Sequence, residues 1–183
     1  MTREKALALL HEYTKSDSLR KHAYAVEAAM RAYARKYKQD EELWGSVGLI
    51  HDFDYEIYPD EHPQKGSEIL AQKGISEELR KIILGHADFT GVPRESLMAK
   101  VLYAVDELCG FIIAVTLVRP NKSIGEVQVK SVKKKMKDKS FAAKVNRDEI
   151  RSGAEELGVD FDEHVNFVIQ SLTTVAEKIG VNP

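Results

Sequence analysis

Apolar residues recur at helical spacing along almost the whole chain, and this periodicity is the feature that most constrains the fold. Leu19, Ala23, Val26 and Met30, for example, form one stripe with members three or four residues apart. Only residues 127–129 alternate as a strand would, and they do so for a single step, so we interpret them as helix. The sequence therefore predicts an all-α fold, a helical bundle of about eight or nine helices.

Capping residues and helix breakers divide the periodic pattern into separate helices. Asp40 and Ser76 are typical N-caps, and either Ser16 or Asp17 can cap the long second helix. Prolines fit the first turn of a helix, and Pro93 is expected to open the sixth helix. The predicted helices cover residues 3–13, 17–37, 41–50, 63–74, 76–86, 93–118, 124–138, 147–157 and 162–179.

Length, charge and cysteine content exclude several classes of protein. A chain of 183 residues is expected to form a single domain, residues 1–183, and 43% hydrophobic residues exclude general disorder. A net charge of -2 gives no overall attraction to nucleic acid or to a membrane. Cys109 is the single cysteine, which excludes an intramolecular disulfide and a cysteine-rich zinc site. The longest apolar run, Phe111 to Val118, is too short to span a bilayer. We therefore expect a cytoplasmic protein.

Four polar side chains fall on apolar helix faces, where polar groups need a partner. Asp106 has Leu102 and Cys109 as neighbours at helical spacing, and a carboxylate buried there costs several kcal/mol unless it is compensated. His22, His51 and His86 lie on similar faces of other helices. A salt bridge, or a histidine hydrogen-bonded in the core, would explain each residue singly. Four such residues on four helices are also a set of side chains that can bind Zn, Mn, Fe or Ni.

Other polar and aromatic residues are expected to have structural roles. His11 and His164 fit the edge of the core, and Asp54 and Glu27 fit solvent-facing or capping positions better than positions next to a metal. The tyrosines of the second helix are expected to pack against neighbouring helices; they are Tyr24, Tyr33 and Tyr37.

The order His22, His51-Asp52, Asp106 resembles the HD superfamily of metal-dependent phosphohydrolases. The resemblance covers residues 18–113, the motif-bearing part, and leaves residues 120–183 as a C-terminal helical extension. It implies an all-α domain in which these side chains bind metal.

Two further segments are similar to the HDIG-type subgroup of that superfamily. Residues 62–70 resemble its H-P-x-x-G-x-E-I-L segment, in which the leading histidine, here His62, binds a second metal. His86 resembles the next ligand histidine of the subgroup. The resemblance therefore implies two divalent ions (Mn, Fe, Zn or Ni) bridged by Asp52, which is also the candidate catalytic residue.

The chain also departs from that pattern. Residues 53–55 read Phe-Asp-Tyr where relatives often have Ile-Gly-Lys, and Ala87 replaces the second histidine of the usual His-His pair. Residues 90–93 are at best a shortened form of the Gly-Tyr-Pro loop of cyclic-di-nucleotide phosphodiesterases, so that substrate is disfavoured.

Two divalent ions held by these ligands would attract an anion and lower the pKa of bound water. We therefore expect hydrolysis of a phosphate ester of a small metabolite or nucleotide by a metal-bridging hydroxide. Two alternatives remain open. The first is a diiron oxygenase, which uses the same ligand types on the same fold. The second is a non-catalytic helical binding module, which has the fold but no enzymatic activity.

A basic segment follows the motif-bearing part. Residues 130–147 contain eight cations against Asp138, which fits either a solvated helix face or an electropositive rim that draws a phosphorylated substrate to the metals. Phe141 is its only aromatic residue, which does not favour nucleic-acid binding. The candidate substrate-binding residues are Arg119, Lys122, Lys130 and Lys134.

Overall fold

The computed structural model describes residues 1–183, which form nine α-helices and three short 3-10 turns, and it confirms the all-α prediction. The helices are α1 (Arg3–Tyr13), α2 (Asp17–Lys36), α3 (Glu41–Ile50), α4 (Gln64–Gln72), α5 (Glu77–Leu84), α6 (Leu97–Leu117), α7 (Val129–Met136), α8 (Arg147–Leu157) and α9 (Phe161–Thr173). The 3-10 turns cover Asp88–Thr90, Ile124–Glu126 and Glu177–Ile179. None of the helices has both the length and the apolar character needed to cross a bilayer.

Side-chain caps begin the helices where the sequence predicts them. Ser16 caps α2, Asp40 caps α3 and Ser76 caps α5, each by accepting a hydrogen bond from the backbone N–H three residues later. These caps satisfy amide groups that would otherwise have no intrahelical partner.

Three predicted helix boundaries are wrong. The last predicted helix extends to residue 179, but α9 ends at Thr173 and a separate 3-10 turn covers Glu177–Ile179. α6 begins at Leu97 and not at Pro93, because Ser96 is its N-cap and accepts a hydrogen bond from the backbone N–H of Ala99 at 3.1 Å. The predicted helix over residues 124–138 is split by extended backbone at Val127 and Gln128. Ile124 and Val127 are both buried, and the Ile124 N–H donates to the Asn182 carbonyl at 2.9 Å, so this short segment is bound to the C-terminal residues.

α2 and α6 form the centre of the bundle, and α3 packs closely against α2. The close approach depends on Gly48 of α3, where a Cβ atom would lie 3.0 Å from the Met30 side chain and 3.1 Å from the backbone of Glu27. Val101, Leu102 and Val105 of α6 are fully buried in the same core. The helices that carry the predicted ligands are therefore fixed to one another by apolar packing.

The C-terminal helices pack onto the same core. Gly153 brings α8 against α6, because a Cβ atom there would lie 2.7 Å from the Ala104 Cα. His164 of α9 accepts from the Tyr33 hydroxyl at 2.6 Å and donates to the Ala104 carbonyl at 2.9 Å. His164 is thus buried in the core and not at its edge, because both of its ring nitrogens have partners.

Glu27 is neither solvent-facing nor a cap. Its side chain is buried and forms ion pairs with Arg3 at 2.6 Å and with Arg31 at 3.0 Å. Two guanidinium groups compensate the buried carboxylate, which explains why a charge is tolerated there.

Candidate metal centre

The fold brings all six predicted ligand side chains together. They lie in two groups that share Asp52, and within each group the ligand atoms lie within 4.8 Å of one another. The first group contains His22 of α2, His51 at the end of α3, Asp52 and Asp106 of α6. The second group contains Asp52, His62 from the segment before α4 and His86, which follows α5.

In the first group, one oxygen of Asp106 and the Nε2 atoms of His22 and His51 lie within 3.3 Å of one another. Asp106 Oδ1 lies 2.9 Å from His22 Nε2 and 3.2 Å from His51 Nε2. The two histidine nitrogens are 3.3 Å apart. His51 is fully buried, so this group is closed to solvent on one side.

The two oxygens of Asp52 face different groups. Oδ1 lies 3.2 Å from both His62 Nε2 and His86 Nε2, whereas Oδ2 lies 3.3 Å from His51 Nε2 and 3.8 Å from His22 Nε2. Asp52 therefore stands between the groups, one oxygen to each, as a bridging carboxylate would.

Hydrogen bonds behind the histidines orient their rings. Nδ1 of His51 donates to the Gly48 carbonyl at 2.8 Å, and Nδ1 of His86 donates to the Ile83 carbonyl at 2.5 Å. A neutral ring that donates from Nδ1 carries a lone pair on Nε2, and this arrangement is usual for histidines that bind metal.

The resulting lone pairs need a cation. His62 Nε2 and His86 Nε2 are only 3.3 Å apart, and His62 Nδ1 also lies 2.8 Å from a carboxylate oxygen, Asp54 Oδ1. Two lone pairs that face each other at this distance repel unless a proton or a metal ion lies between them. The donor set of imidazoles and carboxylates fits a divalent transition-metal ion.

The electrostatics of the cluster point the same way. Burial alone would lower the pKa of His51, but the carboxylates of Asp52 and Asp106 raise it well above its usual value. Burial alone would raise the pKa of Asp106, but His51 and His22 hold it below its usual range. Burial likewise opposes the charged form of His62, yet Asp52 and Asp54 raise its pKa to about 9. The site thus attracts positive charge strongly.

Asp54 is not the solvent-facing or capping residue that the sequence suggested. It is 1% exposed, and its Oδ2 accepts a hydrogen bond from the Gly66 N–H at 2.6 Å while Oδ1 meets His62. A Cβ atom at Gly66 would lie 2.7 Å from the Asp54 carboxyl carbon, so glycine leaves room for this carboxylate. Asp54 therefore orients His62 from behind the cluster.

The two groups open into a cleft of about 400 Å³. Beyond the cluster, its walls include Tyr55, Phe89, Glu107, Lys144 and Glu149. Glu107 follows Asp106 directly, and burial, reinforced by the Asp106 charge, raises the pKa of Glu107 to about 7. Sequence reasoning did not single out the two glutamates, because their positions resemble those of ordinary surface carboxylates on helices.

The four predicted substrate-binding cations do not line the cleft. Arg119 instead contacts Ser131 at 3.5 Å and lies 3.6 Å from Glu126. All four cations follow the C-terminal end of α6, whereas Asp106 lies in the middle of that helix. Of the eight cations of the basic segment, Lys144 alone belongs to the cleft wall. The four residues are Arg119, Lys122, Lys130 and Lys134.

Comparison with known proteins agrees with the arrangement of these ligands. No match was found among curated proteins or among solved structures. The family model described as HD domain matches residues 19–110, about half of the chain and the part that contains all six side chains. Members of this family are mostly metal-dependent hydrolases. The chain belongs to the HD domain family.

Proposed function

We propose that this protein is a metal-dependent phosphohydrolase that binds two divalent ions and cleaves a phosphate ester of a small metabolite or nucleotide. The observation that carries the proposal is the position of Asp52, whose two oxygens each face a separate group of histidines. A mononuclear site would not require this division.

The first ion would be held by His22, His51, Asp52 and Asp106, and the second by Asp52, His62 and His86. When bound, such ions stabilise negative charge on phosphoryl oxygens and promote the ionisation of water. The pair of histidines in the second group supports assignment to the HDIG-type subgroup.

The residues of the chain itself supply orientation and charge. The carbonyls of Gly48 and Ile83 and the carboxylate of Asp54 accept from the Nδ1 atoms of three histidines, which keeps each Nε2 directed into the site. Asp52 and Asp106 supply the negative charge that holds the ions. The buried side of the first group excludes bulk water, which strengthens these interactions.

We propose further that residues 1–183 act as one domain. The contacts of His164 with Tyr33 and Ala104, and the fit of Gly153 against α6, support this view. In that arrangement the segment before α8 contributes Lys144 to the cleft wall.

The test is metal content and phosphatase activity measured on the same preparation. Protein purified without chelators and loaded separately with Mn²⁺, Ni²⁺, Zn²⁺ or Fe²⁺ is assayed for phosphate release across a panel of phosphoesters. We expect about two metals per chain, and release that Asp52→Asn abolishes. Asp60→Asn is the control, because Asp60 is exposed and carries the same change in charge.

Three outcomes would overturn the proposal. Metal-loaded protein that releases no phosphate from any ester would contradict it. Iron-selective loading with oxygen consumption on a phosphonate or polyol panel would favour the oxygenase. Folded protein that takes up no metal at all would favour a binding module.

A further inference from the structure

The cleft wall beside the cluster carries an unusual balance of charge. Lys144 is its only lysine or arginine, whereas Glu107 and Glu149 are two carboxylates outside the cluster. A third carboxylate of the wall, Asp88, is already paired, with Arg94 at 2.9 Å and with the Tyr103 hydroxyl at 2.9 Å. A ligand therefore meets one free cation and two carboxylates.

The segment that carries Lys144 is held in place by Arg147. The Arg147 guanidinium donates to the carbonyls of Ala142 and Val145, both at 2.6 Å, and to the carbonyl of Phe141. It also lies over the Phe111 ring, 5.0 Å from the ring centroid. Arg147 thus fixes the backbone on both sides of Lys144, although the Lys144 side chain itself is exposed.

Asn146 fixes the two glutamates relative to this segment. Its backbone N–H donates to Glu107 Oε2 at 3.1 Å, and its side-chain amide donates to Glu149 Oε1 at 2.6 Å. The other oxygen of each glutamate accepts no hydrogen bond from the protein. Both glutamates belong to the cleft wall. These two oxygens are acceptors available to hydroxyl or amino groups of a ligand.

From this arrangement we infer the substrate class: a phosphomonoester with a single phosphate as its only anionic group, on a body that carries hydroxyl or amino groups. Lys144 binds the phosphate, and Glu107 and Glu149 accept hydrogen bonds from the body. The inference rests on the proposed function, since it assumes that metal ions bound by the two ligand groups hold the scissile phosphate.

Polyphosphates and bisphosphates fit this cleft poorly. A second phosphate would lie near Glu149 with no lysine or arginine left to compensate it, and like charges brought together in a partly buried site repel. The volume of about 400 Å³ is at the small end of ligand pockets, which span roughly 300–1,000 Å³. Hydroxyl and amino groups, in contrast, satisfy the two free oxygens.

The test uses substrates that differ by one phosphate. Metal-loaded protein is assayed with glucose 1-phosphate against glucose 1,6-bisphosphate, and with AMP against adenosine 3′,5′-bisphosphate, so that a phosphomonoester is cleaved in every case. We expect kcat/KM to be at least about tenfold higher for each monophosphate, the size expected for one uncompensated like-charge contact in a partly buried site. Glu149→Gln is expected to lower the ratio of kcat/KM between each monophosphate and its partner with two phosphates. The substitution removes one repelling charge and keeps the side-chain shape.

Lys144 is tested by activity and by binding. Lys144→Ala is expected to raise KM for the monophosphates by about tenfold, and to weaken binding of inorganic phosphate to the metal-loaded protein by a similar factor in calorimetry. Lys139→Ala is the matched control, because Lys139 is an exposed lysine of the same segment that does not line the cleft. Arg147→Lys is expected to raise KM with kcat nearly unchanged, as a positioning residue should.

The outcomes separate this inference from the proposed function. Metal-loaded protein that hydrolyses none of the four compounds and none of the wider panel contradicts the proposed function. Protein that hydrolyses both members of each pair equally well, or a Glu149→Gln variant with an unchanged ratio, overturns the inference and leaves the function standing. Equal effects of Lys144→Ala and Lys139→Ala on phosphate binding would also overturn it.

Discussion

Asp54 Oδ1 lies 2.8 Å from His62 Nδ1 and accepts its hydrogen bond, while Asp54 Oδ2 accepts from the Gly66 N–H at 2.6 Å. The buried carboxylate therefore joins the helix α4 backbone to a candidate ligand of the second group. Because both of its oxygens are engaged, any change at Asp54 is expected to reach His62.

Asp54→Asn is expected to weaken metal binding in the second group by about 10–100-fold, the usual effect of losing a hydrogen bond behind a ligand. An amide cannot accept from both His62 and Gly66, because one of its two ends is a donor. Calorimetric titration of metal-free protein measures the affinity, and Asp60→Asn is the control at an exposed position. Unchanged affinity would show that His62 does not need this partner.

Gly66→Ala is expected to have a similar effect without changing any ligand. The added methyl would lie 2.7–2.9 Å from all three atoms of the Asp54 carboxylate, which must then move away from His62. We expect weaker binding of the second metal and lower stability, since overpacking a buried site typically costs about 1–3 kcal/mol. Metal titration and denaturant unfolding measure both effects. Ser67→Ala, at the next buried position of α4, is the control.

Metal content is expected to depend on which ligand is removed. His62→Ala should leave about one metal per chain, bound by the first group. Asp106→Ala should abolish metal binding by that first group. Asp52→Ala should lose both metals, because its two oxygens face both groups. Elemental analysis of the three variants measures the difference. An Asp52→Ala protein that retains one tightly bound metal would rule out a bridging role.

Metal uptake by the second group is expected to release a proton. Asp52 and Asp54, acting against burial, raise the pKa of His62 to about 9 in the metal-free protein, so the ring is charged at neutral pH. Its contribution to stability is fully present below about pH 6.5 and is lost as the pH rises through 9. The affinity for metal therefore rises with pH up to about 9. Calorimetry in buffers of different ionisation enthalpy counts the protons, and no release in wild type would contradict the raised pKa.

His164, which is not one of the six candidate ligands, gives a pH dependence of stability of the opposite sign. Burial, together with Lys36, lowers the pKa of His164, whose Nε2 donates to the Ala104 carbonyl. The unfolded chain takes up a proton near pH 6.5 and the folded protein resists it, so stability falls as the pH drops below about 6.5, by at most about 1.4 kcal/mol per pH unit. Denaturant unfolding at pH 7 and pH 5.5 should show a smaller drop for His164→Gln than for wild type. Equal drops would contradict this role.

Much of the fold could be predicted from local spacing, and so could four of the ligands, whereas Asp52 and His62 were implied only by the resemblance to the HD superfamily. Periodicity and N-caps such as Asp40 and Ser76 determine where helices form, because caps and apolar stripes act within a few residues. The boundary at Pro93 was wrong because Ser96, three residues later, is the N-cap of α6. Two nearby residues that can each begin a helix, such as Pro93 and Ser96, cannot be ranked without knowing how the helix packs in the tertiary structure.

The sequence alone determined that this is an all-α chain with histidines and aspartates on apolar faces, in the order of an HD domain. Only the tertiary structure decided that Asp54 is buried behind His62, and that Lys144 lines the cleft while Arg119 does not. The physical reason is that spacing along a helix fixes the face on which a side chain lies. The packing of helices far apart in the chain, such as those of His22 and Asp106, fixes which faces meet.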